Sequence, residues 1–126
     1  MKILLIGRGR MGRLIEQTAG AMGDTVVAAV GRDDLASLDT LDTEADVVMD
    51  FSSPAALSAV AAYVRRTGTP LLSGTTGYTP EQMKTFDHLG QFAPVLHSAN
   101  FSVGIAVLRR VLEQISDVLR PDFDIE

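Results

Sequence analysis

The chain has 126 residues, 46% of them hydrophobic, which supports one core and one domain. Lysines and arginines number 11 against 16 aspartates and glutamates, so the formal net charge is -5, a field that repels polyanions and argues against nucleic acid as a partner. There is no cysteine, hence no disulfide framework and no thiolate metal site, which suits a reducing cytoplasm.

The first apolar run, Ile3-Leu4-Leu5-Ile6, has the composition of a strand buried on both faces. It stops at Gly7 and arginines follow, so it is too short for a signal peptide, and no stretch is long enough to span a bilayer. Met11, Leu14, Ile15, Thr18, Ala19 and Met22 then recur at the spacing of a helix face, which Gly23 ends. Thr25 to Val30 is a second β-branched run, an acid-rich loop with no long helix spans 33–46, and Val47-Val48-Met49 is a third strand.

Ser53-Pro54 places a capping hydroxyl before a proline at the first helical position, with Leu57, Val60, Ala61 and Val64 as the apolar face and Gly68 as the stop. Pro70 to Ser73 is a short fourth strand, and Thr79-Pro80-Glu81-Gln82 carries the signature of a capping box for a helix reaching about Gly90. Pro94 to His97 is a fifth strand. The stripe Val103, Val107, Leu108, Val111, Leu112, Ile115 and Leu119 predicts a last helix, broken at Pro121. Strands alternating with helices predict βαβ units, and so an α/β, Rossmann-type doubly wound parallel sheet.

One motif stands out in that frame. Gly7, Gly9 and Gly12 follow a buried strand and open a helix, so the backbone can turn tightly and aim helical N–H groups, with Arg10 and Met11 between the glycines, at the pyrophosphate of a nicotinamide dinucleotide. Arg8, Arg10 and Arg13 precede the first acid, Glu16, and make this turn locally positive. A dinucleotide domain usually ends its second strand with an acid for the ribose hydroxyls; here Gly31-Arg32 follows Val30, so Arg32 is expected to meet a 2′-phosphate and NADPH to serve at least as well as NADH.

Three further segments fall at strand ends, where open α/β sheets bind ligands: Asp50-Phe51-Ser52-Ser53, Ser73-Gly74-Thr75-Thr76-Gly77-Tyr78 and Ala99-Asn100-Phe101-Ser102. Helix capping alone accounts for Ser53 and Ser102. His88, on a predicted helix, and His97, at a strand end, stand beside no nucleophile or metal cluster and read as structural. The pattern offers no catalytic triad and no metal site.

Gly9-Arg10-Met11-Gly12, Asp50-Phe51-Ser52, Gly74-Thr75-Thr76-Gly77 and Ala99-Asn100-Phe101-Ser102-Val103-Gly104, in this order, give the chain a family likeness. It resembles the N-terminal, cofactor-binding portion of the 4-hydroxy-tetrahydrodipicolinate reductases, also called dihydrodipicolinate reductases, of bacterial lysine and diaminopimelate biosynthesis. The resemblance implies that Gly7, Gly9, Arg10, Met11 and Gly12 hold the pyrophosphate. It places Phe51, Ser52, Gly74, Thr75 and Thr76 toward the nicotinamide, and Ala99, Asn100 and Phe101 along the gap between two domains.

Gly31 departs from the acid that many members carry before the arginine. The resemblance also implies a cytoplasmic enzyme that uses NADPH, NADH or both on a small-molecule substrate, with a homo-oligomeric parent, a tetramer. It divides the chain into a cofactor domain, 1–121, and the first residues, 122–126, of an α+β substrate domain that lies beyond it. The family's catalytic residues lie beyond Glu126, so none is expected in this chain, which should turn over poorly by itself. Two rivals share the architecture: the cofactor domain of another two-domain NAD(P) oxidoreductase, and an NAD(P)-sensing module without catalysis.

Overall fold

The structure is a computed structural model that describes residues 1–119. Five parallel strands, β1 (Lys2–Ile6), β2 (Thr25–Val30), β3 (Val47–Asp50), β4 (Leu71–Ser73) and β5 (Val95–His97), form one sheet in the order β2-β1-β3-β4-β5. Four helices accompany them: α1 (Arg10–Ala21), α2 (Leu57–Thr67), α3 (Pro80–Leu89) and α4 (Val103–Leu119). The sheet is thus the parallel, doubly wound Rossmann-type architecture that the alternating pattern predicts. The acid-rich loop holds only a 3-10 turn, Leu35–Asp39. The predicted break at Pro121 and the segment 122–126 lie outside the described residues.

The central strands are apolar on both faces because both are covered. Leu4, Ile6 and Val48 point into the main core with Leu57, Val60, Val64, Phe86 and Leu89 from α2 and α3, while Ile3 and Leu5 are buried on the opposite face, where α1 packs along β2. α1 departs from its expected face, since only Gly12 and Ala19 are buried and Met11, Leu14 and Met22 are exposed. The small residues let the helix lie close to the strands, and its larger apolar side chains project to the flanks. α4 forms where its stripe predicts, yet Val103, Val107, Leu108, Val111, Leu112 and Ile115 are all exposed.

Two of the helix starts contrast. Thr79 and Gln82 form both halves of the capping box, Gln82 N–H donating to Thr79 Oγ1 at 3.2 Å and Thr79 N–H to Gln82 Oε1 at 3.0 Å. The Ser53 hydroxyl, expected to cap α2, caps nothing: a 3-10 turn, Pro54–Ala56, intervenes, and its tighter winding carries the helical N–H groups away from the serine. Gly68 ends α2 as expected, in the left-handed conformation at φ +68°, with its N–H bonded to the Val64 carbonyl.

Among the described residues, no helix is long and apolar enough to cross a membrane.

Candidate functional site

Strand order decides where a ligand can sit. β1 lies between β2 and β3, so the chain leaves β1 toward one edge of the sheet and leaves β3 toward the other, and the loops that follow these strands part. At this switch point a cleft of about 460 Å³ opens, lined by Gly7, Arg8, Gly9, Arg32, Phe51 and Ser52 among others.

The sequence of the first turn explains its shape. Gly7 has φ +106°, and a Cβ there would collide with the Phe51 carbonyl; a Cβ on Gly12 would strike the Gly7 carbonyl. Gly9 differs, because a Cβ would meet nothing within 4 Å. Gly9 is the N-cap of α1, its carbonyl accepting the Arg13 N–H at 3.1 Å, and no side chain caps the helix. The first-turn N–H groups of Arg10, Met11 and Gly12 therefore lack intrahelical partners, and the turn holds no acid, which is the arrangement that receives a phosphate.

Arg32 lines the cleft from the end of β2. The guanidinium of Arg8, on the same rim, reaches Asp34 Oδ2 at 3.3 Å, with both side chains largely exposed. Asp34 is the acid that faces an arginine here, while its neighbour Asp33 lines the cleft.

On the other side of the switch point the edge of the sheet is polar. Parallel register places Ile6 beside Asp50, Asp50 beside Ser73 and Ser73 beside His97. Asp50 is 1% exposed and accepts hydrogen bonds from Ser73 Oγ at 3.0 Å, Thr75 Oγ1 at 3.1 Å, Tyr78 OH at 3.1 Å, Ser52 N–H at 3.2 Å and the Ser52 hydroxyl. Burial, the largest influence, pushes the Tyr78 phenol up to about 12, and the nearby Asp50 adds to the shift. His97 stacks on Phe86 at 4.9 Å and shares a hydrogen bond with the Thr75 carbonyl at 3.1 Å, so it braces this edge.

Among the residues singled out in the sequence, Gly7, Gly9, Arg32, Phe51 and Ser52 surround one cleft. Gly74 and Phe101 join it through Phe51: the phenyl ring lies so close over Gly74 that a Cβ would overlap it, and the Phe51 and Phe101 rings are 6.0 Å apart. Thr75 is turned inward, its hydroxyl held between Asp50 and the Ser52 N–H, so only its backbone faces the edge, whereas Thr76 is exposed. Ala99 and Asn100 line a separate hollow against α4, of about 610 Å³, with Arg109 and Arg110. There Asn100 Oδ1 accepts the Ser102 N–H at 2.7 Å, and the Ser102 hydroxyl caps α4 by accepting the Ile105 N–H at 3.4 Å.

A parallel doubly wound sheet with a glycine turn at its switch point defines a Rossmann-type domain. The chain matches the family described as "Dihydrodipicolinate reductase, N-terminus" over residues 1–101. It is 41% identical over 129 residues to the 4-hydroxy-tetrahydrodipicolinate reductase of Exiguobacterium sp., covering 100% of this chain and 51% of that protein. Against the proteins of the same name from Clostridium novyi and Clostridium tetani it is 36% and 35% identical, covering 99% and 100% of this chain and 54% and 53% of theirs. The chain belongs to the dihydrodipicolinate reductase N-terminal family, and it spans about half the length of these relatives.

Proposed function

We propose that this domain binds NADPH or NADH across the switch point. The observation that carries the reading is the start of α1: a glycine N-cap with open space around it, no capping side chain, no acid in the first turn, and arginines on its rim. The pyrophosphate is held by the N–H groups of Arg10, Met11 and Gly12. The adenosine half lies toward Gly31 and Arg32; position 31 itself carries no carboxylate, while Asp33 lines the cleft and Asp34 Oδ2 lies 3.6 Å from where a Cβ on Gly31 would be. The nicotinamide half runs over the ends of β3 and β4, where Phe51, Ser52 and Gly74 orient the ring, with Phe101 closing the side.

Together with the names of the relatives, this supports a whole protein of lysine and diaminopimelate biosynthesis that reduces 4-hydroxy-tetrahydrodipicolinate to tetrahydrodipicolinate; that it is cytoplasmic and homo-oligomeric we infer from the family resemblance alone. The bound nicotinamide supplies the hydride; the part of this chain is to hold the cofactor, fix the ring and keep water from it.

Titration with NADPH and NADH, read by nicotinamide fluorescence, tests the cofactor reading when repeated on Gly9→Asp. At Gly9 φ is -76° and the side chain enters empty space, so the fold tolerates the change while a carboxylate occupies the phosphate position. Affinity is expected to fall at least about tenfold for both cofactors, by charge repulsion at a helix N-terminus and steric exclusion together. A folded chain that binds neither cofactor, or a Gly9→Asp chain that binds both as well as before, overturns it.

A further inference from the structure

A dinucleotide seated on the α1 N-terminus has one half toward the end of β2 and the other over the ends of β3 and β4, because the loops diverge on the two sides of β1. The second half therefore rests on the segments 51–53 and 74–78. Those segments hang on one buried group. Asp50 uses one carboxylate oxygen for the N–H and hydroxyl of Ser52, and the other for the hydroxyls of Ser73, Thr75 and Tyr78. Thr75 completes the clamp by accepting the Ser52 N–H at 2.9 Å. Among the described residues no cation pairs with Asp50.

A buried carboxylate is costly unless its acceptor capacity is met, and here it is met entirely by donors from the site loops. An apolar residue, such as Val48 earlier on the same strand, would suit the sheet interior but would take an acceptor from four hydroxyls, those of Ser52, Ser73, Thr75 and Tyr78, and one of its two acceptors from the Ser52 N–H. The same two loops meet again at the surface, where the Phe51 ring packs onto Gly74 beside the bond that ties Ser52 to Thr75. Gly9 and Arg32, which frame the adenosine half, come from loops that Asp50 does not bond, although Phe51 and Ser52 also line the cleft beside them.

We propose that Asp50 is a positioning residue for the nicotinamide half of the site: from beneath the surface it holds Ser52, Thr75 and Tyr78 so that Phe51 and Gly74 present one preorganised wall, while none of its hydrogen bonds reaches the loops after β1 and β2 that frame the adenosine half. This rests on the cofactor reading above.

The test compares the 126-residue chain with Asp50→Asn, titrating NADPH and, separately, adenosine 2′,5′-bisphosphate, which carries only the adenosine half. Asp50→Asn is expected to weaken NADPH about tenfold, the scale of a lost hydrogen bond to a charged group, and to change the bisphosphate less than about twofold. A second readout needs no ligand. The chain has two tyrosines and no tryptophan, so in a Tyr63→Phe background the ultraviolet phenolate titration reports Tyr78 alone. Asp50→Asn removes a nearby negative charge and lowers that midpoint.

If Asp50→Asn does not fold, Thr75→Val removes one arm of the cluster at constant shape, and the same split is expected at about threefold for NADPH. Equal weakening of both ligands means a merely structural role and overturns the proposal, as does unchanged NADPH affinity. An unmodified, folded chain that binds neither ligand overturns the cofactor reading and this inference with it, an outcome distinct from the other two.

Discussion

Arg8 and Asp34 show how one contact sets the chemistry of a rim. Arg8 and Arg32 line one cleft, and Asp34, 3.3 Å from the Arg8 guanidinium, draws off one of the two positive charges that the proposed 2′-phosphate would meet. The pair is exposed and weak, so it tunes and does not determine. Asp34→Ala is expected to tighten NADPH about threefold and leave NADH unchanged, a difference read by parallel fluorescence titrations at low salt. Equal change for both cofactors would show that Asp34 acts on the fold and not on the phosphate.

At the same scale, the tight turn at Gly7 and Gly12 and the place of Arg32 just past β2 were legible in the sequence, because they depend on backbone geometry and local spacing. The hub at Asp50 was not, since its partners Thr75 and Tyr78 lie 25 and 28 residues away. The available signal was an aspartate closing the apolar run Val47-Val48-Met49, because an acid in such a place is seldom buried without partners.

Elements were readable where their ends are chemically marked. Thr79 and Gln82 satisfy each other's backbone N–H at the start of α3, and Thr79→Ala is expected to cost about 1 kcal/mol in chemical denaturation, as loss of an N-cap does. Ser53→Ala, at a site that looks the same in sequence, is expected to cost no more than about 0.3 kcal/mol because its hydroxyl caps no helix. Equal losses at the two positions would contradict the geometry. What separates them is the 3-10 turn after Pro54, a detail that a serine–proline pair does not specify. α1 and α4 teach a related lesson: periodicity located both helices, but it says which residues form a face and not whether anything covers that face.

Across the whole molecule, the polar edge ties stability to pH. The Tyr78 phenol titrates near 10 in an unfolded chain and is pushed up to about 12 in the fold, burial being the main cause. Between those values the unfolded chain loses the proton that the native state keeps, so the contribution is fully present below about pH 10 and is lost as pH rises toward 12. Stability followed by denaturant melts is expected to fall across this window, and Tyr78→Phe is expected to flatten the fall. An identical slope in the variant would remove Tyr78 as its source.

The strands, the helices, the glycine turn and the family likeness follow from the sequence alone, because buried runs, helical periods and steric demands on glycine act over a few neighbouring residues. Only the tertiary structure decides that β1 sits between β2 and β3, that Asp34 meets Arg8, that Phe51 lies over Gly74, and that one buried carboxylate gathers the loops beyond. Those contacts join residues distant in the chain, and the parallel register that aligns Asp50, Ser73 and His97 exists only once the sheet has formed.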